Sequence, residues 1–411
     1  MPLQPYLDVL RLPGTKTSFL LMTLARLPMT ATSITLTLHI VSELGHGYGA
    51  AGLVGTATTA GTALAAPLIG RLIDRHGLRP VVAVCGLAST AFWVSVPYLP
   101  YQALLVVALP AGALVLPAGS IARQVITALV PEPRRRAAYS LDTISLETTF
   151  MIGPALGIAA STQLSSTVAL TGIGIVFGAC AAALYLVDPP IRTEEERGAT
   201  PGTRPRIRAW LGAPLIGTLL VAMGALFVLM GTELAALAAL RESGEVGWTG
   251  VVIAVMCVAS LTGGLIHGAV PRSLSQLPLM VLLAVLVIPV ALVTDPWWLL
   301  ALALVPTNLA CAPTLAATTE SVSRLAPVSV RGEAMGLQDS ATRIGMAIGA
   351  PVVGFVIDHS QPGWGFVAAG LGGLLFALAG WLLQRRPGRP LVTGRPGATA
   401  PGCSDSVATT G

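Results

Sequence analysis

Apolar stretches of about twenty residues alternate with short polar turns along almost the whole chain. That is the pattern of helices crossing a bilayer. It predicts twelve spans, at residues 17–40, 49–69, 80–98, 102–127, 138–160, 167–187, 211–238, 248–269, 276–294, 297–322, 334–357 and 363–384. Between the sixth and seventh, DPPIRTEEERGATPGTRPRIRA (residues 188–209) breaks the alternation with proline, glycine and charge. It reads as a cytoplasmic linker between two groups of six. The expected fold is an all-α membrane protein of two pseudo-symmetric six-helix bundles. Their boundaries are 1–187 and 210–384, followed by a disordered cytoplasmic tail, 385–411, rich in Pro, Gly, Ser and Thr. No cleavage pattern follows the first apolar run, which is expected to stay as the first span.

The two groups of six are copies. The stretch Leu129–Gly153 returns, without gaps and 196 residues later, as Leu325–Gly349. Pro131 pairs with Pro327, Arg135 with Arg331, Ala138 with Ala334, Leu141 with Leu337, Ile152 with Ile348 and Gly153 with Gly349. Each copy is the end of one span, a basic turn and the first half of the next. Parallel repeats about an axis along the membrane normal are a transporter plan.

Composition narrows the classes. Of 411 residues 54% are hydrophobic and only 10% charged, against about 25% charged in soluble domains. This excludes a soluble enzyme, a disordered chain and a disulfide scaffold. The net charge of +5 would suggest nucleic acid for a soluble protein. Here it sorts by loop instead, and no nucleic-acid partner is expected. With the N-terminus in the cytoplasm, Arg241 is the only basic residue in an outer loop; Arg26, Arg123 and Arg343 fall inside spans, and every other Arg and Lys16 lies on the cytoplasmic side. That is the positive-inside pattern, and it predicts a multi-pass plasma-membrane protein with both termini cytoplasmic. Cys85, Cys180, Cys257, Cys311 and Cys403 are scattered, without a CxxC pair, and read as reduced packing residues. No cluster has metal-ligand spacing, and no cofactor is expected.

Between spans two and three stands GRLIDRHGLRP, Gly70–Pro80. It resembles the signature loop of the major facilitator superfamily, G-x-L-x-D-R-x-G-R-[KR]-x, with Gly70, Leu72, Asp74, Arg75 and Gly77 in place and Arg79 as the one remaining basic residue of the closing pair. Gly77 permits a turn with positive φ. Asp74 is suited to cap a helix start, here expected to be that of span eleven across the halves. Arg75 and Arg79 are suited to anionic headgroups. A weaker copy, GGLIHGAVPR (Gly263–Arg272), lies between spans eight and nine, with His267 where Asp74 stands; it is either an interfacial histidine or a pH sensor. In span five, Gly153, Pro154 and Gly157 match the Gly-Pro-x-x-Gly core of the superfamily's proton-driven exporters, or form a kinked packing helix. The resemblance, over residues 10–386, implies a central cavity, alternating access and no ATP site. The only lysine, Lys16, follows no glycine loop.

Ionisable groups inside spans are functional candidates by default. They are Arg26, Arg123, Asp142, Glu147, Glu233, Glu320, Asp339 and Arg343. By depth from the turns, Arg123 and Glu147 form one opposite-charge set and Glu320 and Arg343 another. Asp339 is four residues from Arg343, on the same helix face. Two readings stay open: structural ion pairs, or Glu147 as a proton carrier with Arg26 as a rival partner. Glu233, near the outer face, is a further substrate or proton group, and Asp142 reads as solvated. The resulting expectation is a secondary transporter of a small organic molecule, proton-coupled and exporting, working as a monomer in the lipid bilayer and not an enzyme. An importer or facilitator of a small metabolite is the alternative.

Overall fold

The computed structural model describes residues 4–193, 205–270 and 273–385. Positions 194–204 of the expected linker, the tail from 386 on, Cys403 and Arg272 lie outside the described residues. Among the described residues every regular element is helical. The first half comprises α1 (Gln4–Leu10), α2 (Thr15–Ser42), α3 (Tyr48–His76), α4 (Leu78–Ser95), α5 (Tyr101–Ala113), α6 (Ala118–Leu129), α7 (Arg135–Gln163) and α8 (Ser166–Val187). The second comprises α9 (Ile207–Trp210), α10 (Ala213–Glu242), α11 (Thr249–Ala269), α12 (Gln276–Val287), α13 (Trp297–Leu309), α14 (Cys311–Leu325), α15 (Arg331–Asp358) and α16 (Pro362–Gln384).

Among the described residues, eleven helical stretches are long and apolar enough to cross a membrane. The ninth expected span is instead the shorter apolar stretch Gln276–Leu292, in which α12 tightens into a 3₁₀ turn at Ile288–Leu292. Pro289 lacks the N–H that would continue the α-helical ladder.

Two expected continuous spans are broken. The fourth splits into α5 and α6 at Leu114–Pro117, and the tenth into α13 and α14 at Ala310. Pro110 and Pro117 flank the first break, and Pro306 and Pro313, each 196 residues later, flank the second. The missing N–H groups and ring clashes open the ladder at the same depth in both halves. The repeat thus extends to irregularities that hydropathy does not register.

Each half buries its own aliphatic clusters, for example Val82, Ile121 and Leu184 in the first and Val221, Met280 and Leu304 in the second. The halves meet along two seams, α3 against α15 and α7 against α11. On the axis between them, at the end of the bundle that carries the termini, α6 meets α14. Thr127 and Ser323 touch there through their hydroxyls at 3.2 Å. They are 196 positions apart, so the two copies of one position contact each other across the pseudo-twofold axis.

Candidate functional site

The signature loop sits at the terminus-bearing end of the α3–α15 seam. Gly77, at φ 84°, caps α3 and lets α4 start at once. This turn needs a residue free of the Cβ clash at positive φ. It leaves the Asp74 carboxylate, on the last turns of α3, facing the start of α15. Its two oxygens accept from the backbone N–H groups of Gly332 and Glu333, each at 2.9 Å. These are free donors of a helix N-terminus, where the dipole also favours an anion. The contact requires backbones in touch: a Cβ on Gly70 would collide with the Gly332 carbonyl. Arg192 donates to the Asp74 carbonyl at 2.6 Å. Arg75 is exposed. Arg79, read as a headgroup anchor, instead pairs with Asp188 at 3.2 Å and stacks over the Tyr185 ring.

The second loop differs. His267 is buried, and its Nδ1 meets the Ser273 hydroxyl at 2.5 Å within the same turn. It is not placed at the surface as an interfacial residue.

The interior charges pair differently from the depth count. Asp142, read as solvated, is only 7% exposed. It holds Arg26 through both oxygens, with Nη1–Oδ1 at 2.7 Å and Nη2–Oδ2 at 3.2 Å, while Nη1 also reaches the Asp142 carbonyl at 3.3 Å. The neighbouring α2 shields that depth of α7 from water, so distance from the turn misjudged burial. Arg343 pairs with Asp339 of its own helix at 2.9 Å, the i,i+4 contact that the helix face predicts. Glu320 does not reach Arg343. It binds Arg324 at 2.7 Å and, across the halves, Arg136 at 3.6 Å. Arg123 does not pair with Glu147 either. Its charged neighbours are Asp339, Asp142 and Arg26. Three arginines and two aspartates from α2, α6, α7 and α15 therefore form one network, because α6 and α15 cross beside the α2–α7 contact.

Glu147 faces the other seam. Its carboxylate accepts from the Ser260 hydroxyl of α11 at 3.1 Å, and among the described residues it has no ion pair. Glu233 of α10 is a charged neighbour of Glu147. Ser260 was not read from the sequence, since a lone serine in an apolar span carries no periodic signal.

Gly153 and Gly157 present their open faces to α2, against Thr30 and Thr35. Thr30 donates to the Thr149 carbonyl at 2.8 Å, beside the Phe150 carbonyl that Pro154 leaves without its helical N–H partner. A side chain at Gly153 would occupy the Thr30 hydroxyl's place. Gly153→Val is expected to lower stability by about 1–3 kcal/mol through overpacking. A thermal midpoint in detergent equal to that of the parent would refute this.

Beyond the terminus-bearing end the helices part. A cavity of about 730 Å³ opens toward the far end between α2, α3 and α15, lined by Thr32, Thr37, Thr56, Thr59, Trp93 and Arg343. At its inner limit the Ser340 hydroxyl of α15 donates to the Ala63 carbonyl of α3. The α3–α15 seam is closed at the end carrying Asp74, and the cavity lies beyond it.

The family model described as Major Facilitator Superfamily matches residues 18–293 and 243–404. No curated protein matches the sequence. Many solved structures share the fold, among them the following three. The human organic anion transporter TETRAN superimposes with a TM-score of 0.71 at 18% identity, covering 89% of this chain and 98% of that one. A bacterial homologue of the iron transporter ferroportin, in its outward-facing state, gives 0.71 at 14% identity, covering 90% and 99%. The proton:xylose symporter XylE bound to 6-bromo-6-deoxy-D-glucose gives 0.66 at 16% identity, covering 89% and 95%. At these identities the likeness is one of fold.

Proposed function

The chain belongs to the major facilitator superfamily, whose members are membrane transporters and not enzymes, and from that premise we propose that it is a proton-coupled exporter of a small organic molecule. It works by alternating access in the plasma membrane, as a monomer with both termini cytoplasmic. In that orientation the cavity at the far end faces outward and the Asp74 contact closes the cytoplasmic side.

The observation that carries the coupling is the environment of Glu147. It lies in the α7–α11 seam, hydrogen-bonded to Ser260 of the opposite half and without a basic partner among the described residues. A carboxylate buried there without a cation is costly. Taking a proton removes that cost while the seam is shut, and opening the seam to water lets the proton leave. Substrate and proton then compete through one conformational equilibrium, which is antiport. In the network around Arg26 and Arg123 both aspartates are already engaged by arginines, and it is assigned to structure.

Glu147→Gln is expected to fold and to let substrate exchange down its gradient, yet to lose accumulation driven by an imposed pH gradient in proteoliposomes. The measurement screens a panel of labelled small organic molecules for accumulation by the parent protein. Parent-like accumulation by Glu147→Gln would remove Glu147 as the carrier.

A further inference from the structure

The two seams are related by the internal repeat, yet different chemistry closes them. Aligning Gly70 with Gly263 places His267 at the position of Asp74, and the 196-residue repeat places Arg136 at the position of Gly332. At the α3–α15 seam the carboxylate approaches closely because Gly332 has no side chain. A Cβ there would lie 2.6 Å from Asp74 Oδ1. At the α7–α11 seam neither half of this lock exists. His267 is turned to Ser273, and Arg136 extends its guanidinium to the Val270 carbonyl at 3.4 Å and to Glu320.

The short helix α1 occupies this second seam. It is tied to the first half, since the Thr15 hydroxyl meets the carbonyls of Val9 at 2.8 Å and Leu12 at 2.7 Å. Val9 is fully buried in a cluster with Ile126, Val130, Ala138 and Tyr139. From that base Tyr6, 5% exposed, reaches the second half. Its hydroxyl donates to the Leu265 carbonyl of α11 at 2.6 Å, with the Gly264 carbonyl at 3.2 Å. Gly268 makes the room: a Cβ there would strike both the Tyr6 hydroxyl and Ser140 of α7. Burial pushes the phenol up to about 12, so it remains a donor throughout the physiological pH range.

The repeat shows what is added. In the second half, α9 places Trp210 in a cluster with Val322, Ala326, Ala334 and Met335, each 196 positions after a residue of the Val9 cluster. Both halves therefore brace their basic hairpin with a short helix. Among the described residues, only the first brace carries a side chain with a hydrogen bond to the other half.

We propose that Tyr6 is a positioning residue of the gate: its bond to the end of α11 holds the α7–α11 seam shut while the far-end cavity is open, as Asp74 does at the α3–α15 seam. This rests on the alternating-access reading above. Tyr6→Phe keeps the ring and removes the donor, and should raise the population open at the terminus-bearing end about fivefold, the effect of one net hydrogen bond.

The readout is the alkylation rate, by N-ethylmaleimide, of a single cysteine at Ala316→Cys in an otherwise cysteine-free background. Ala316 is buried on α14 and packs in the Val9 cluster. Tyr6→Phe should accelerate labelling about fivefold with a melting midpoint near that of the parent; acceleration only in step with a lowered midpoint would be opening by unfolding and would refute the gating role. Gly268→Ala, whose methyl takes the hydroxyl's place, should produce the same acceleration and serves as the second test if Tyr6→Phe does not purify as a monomer. If Asp74→Asn accelerates labelling and neither of these variants does, Tyr6 has no gating role and the alternating-access reading stands. If none of the three accelerates it, both fall.

Discussion

Asp142→Asn is expected to remove most of the correctly folded protein, lowering stability by about 3–5 kcal/mol, the cost of leaving a buried charge without its partner. The size follows from how little else can compensate Arg26. It is 3% exposed and bound to both Asp142 oxygens. The remaining acid of the network, Asp339, is already engaged by Arg343 at 2.9 Å. Arg123, beside them, is another cation. Neutralising Asp142 would leave Arg26, Arg123 and Arg343 sharing Asp339. Arg26→Gln should be less harmful, because Arg123 remains beside Asp142. The double variant Arg26→Gln with Asp142→Asn should recover much of the loss, because two neutral amides can hydrogen-bond across the same gap. Yield of the monodisperse species and its thermal midpoint decide this. A parent-like midpoint in either single variant would show that the pair contributes nothing to the fold.

Asp74→Asn should abolish most transport without reducing insertion. The amide keeps the shape and can still accept from one N–H, but it loses the negative charge at the α15 terminus and the second acceptor. A partly buried charge at a helix end is worth up to about 2 kcal/mol, about thirty-fold in the balance between closed and open states at this end. Asp74→Glu retains the charge but lengthens the arm where Gly70 and Gly332 bring the backbones into contact, and should rescue only partly. Transport at the parent rate by Asp74→Asn, with equal protein in the vesicles, would refute the gating role.

Legibility differed by the kind of interaction. Asp74 was readable because its contact is made with backbone N–H groups at the start of a helix. Such a contact needs only a carboxylate in the right loop and a helix start opposite, and the loop string and the repeat supply both. Within one helix the Asp339–Arg343 pair was readable from its spacing, but the contacts between helices were not. Depth counting put Glu147 with Arg123 and Glu320 with Arg343, whereas Asp142 takes Arg26 and Ser260 takes Glu147. Depth gives a residue's height along the membrane normal and says nothing of the direction in which it points around its helix. Helices of similar hydropathy on every face carry no periodic clue to that direction.

The sequence alone determined the apolar spans, the halving of the chain, the repeat and the family, because each depends on local composition or on similarity between segments of one chain. Tertiary structure alone decided which end is closed, which charges meet, and that Tyr6 of a seven-residue N-terminal helix lies against a carbonyl 259 positions away. The closed end and the Tyr6 contact depend on how the two bundles sit about the axis on which Thr127 meets Ser323, and the Arg26–Asp142 pair on how helices of one bundle are turned about their own axes, neither of which hydropathy encodes.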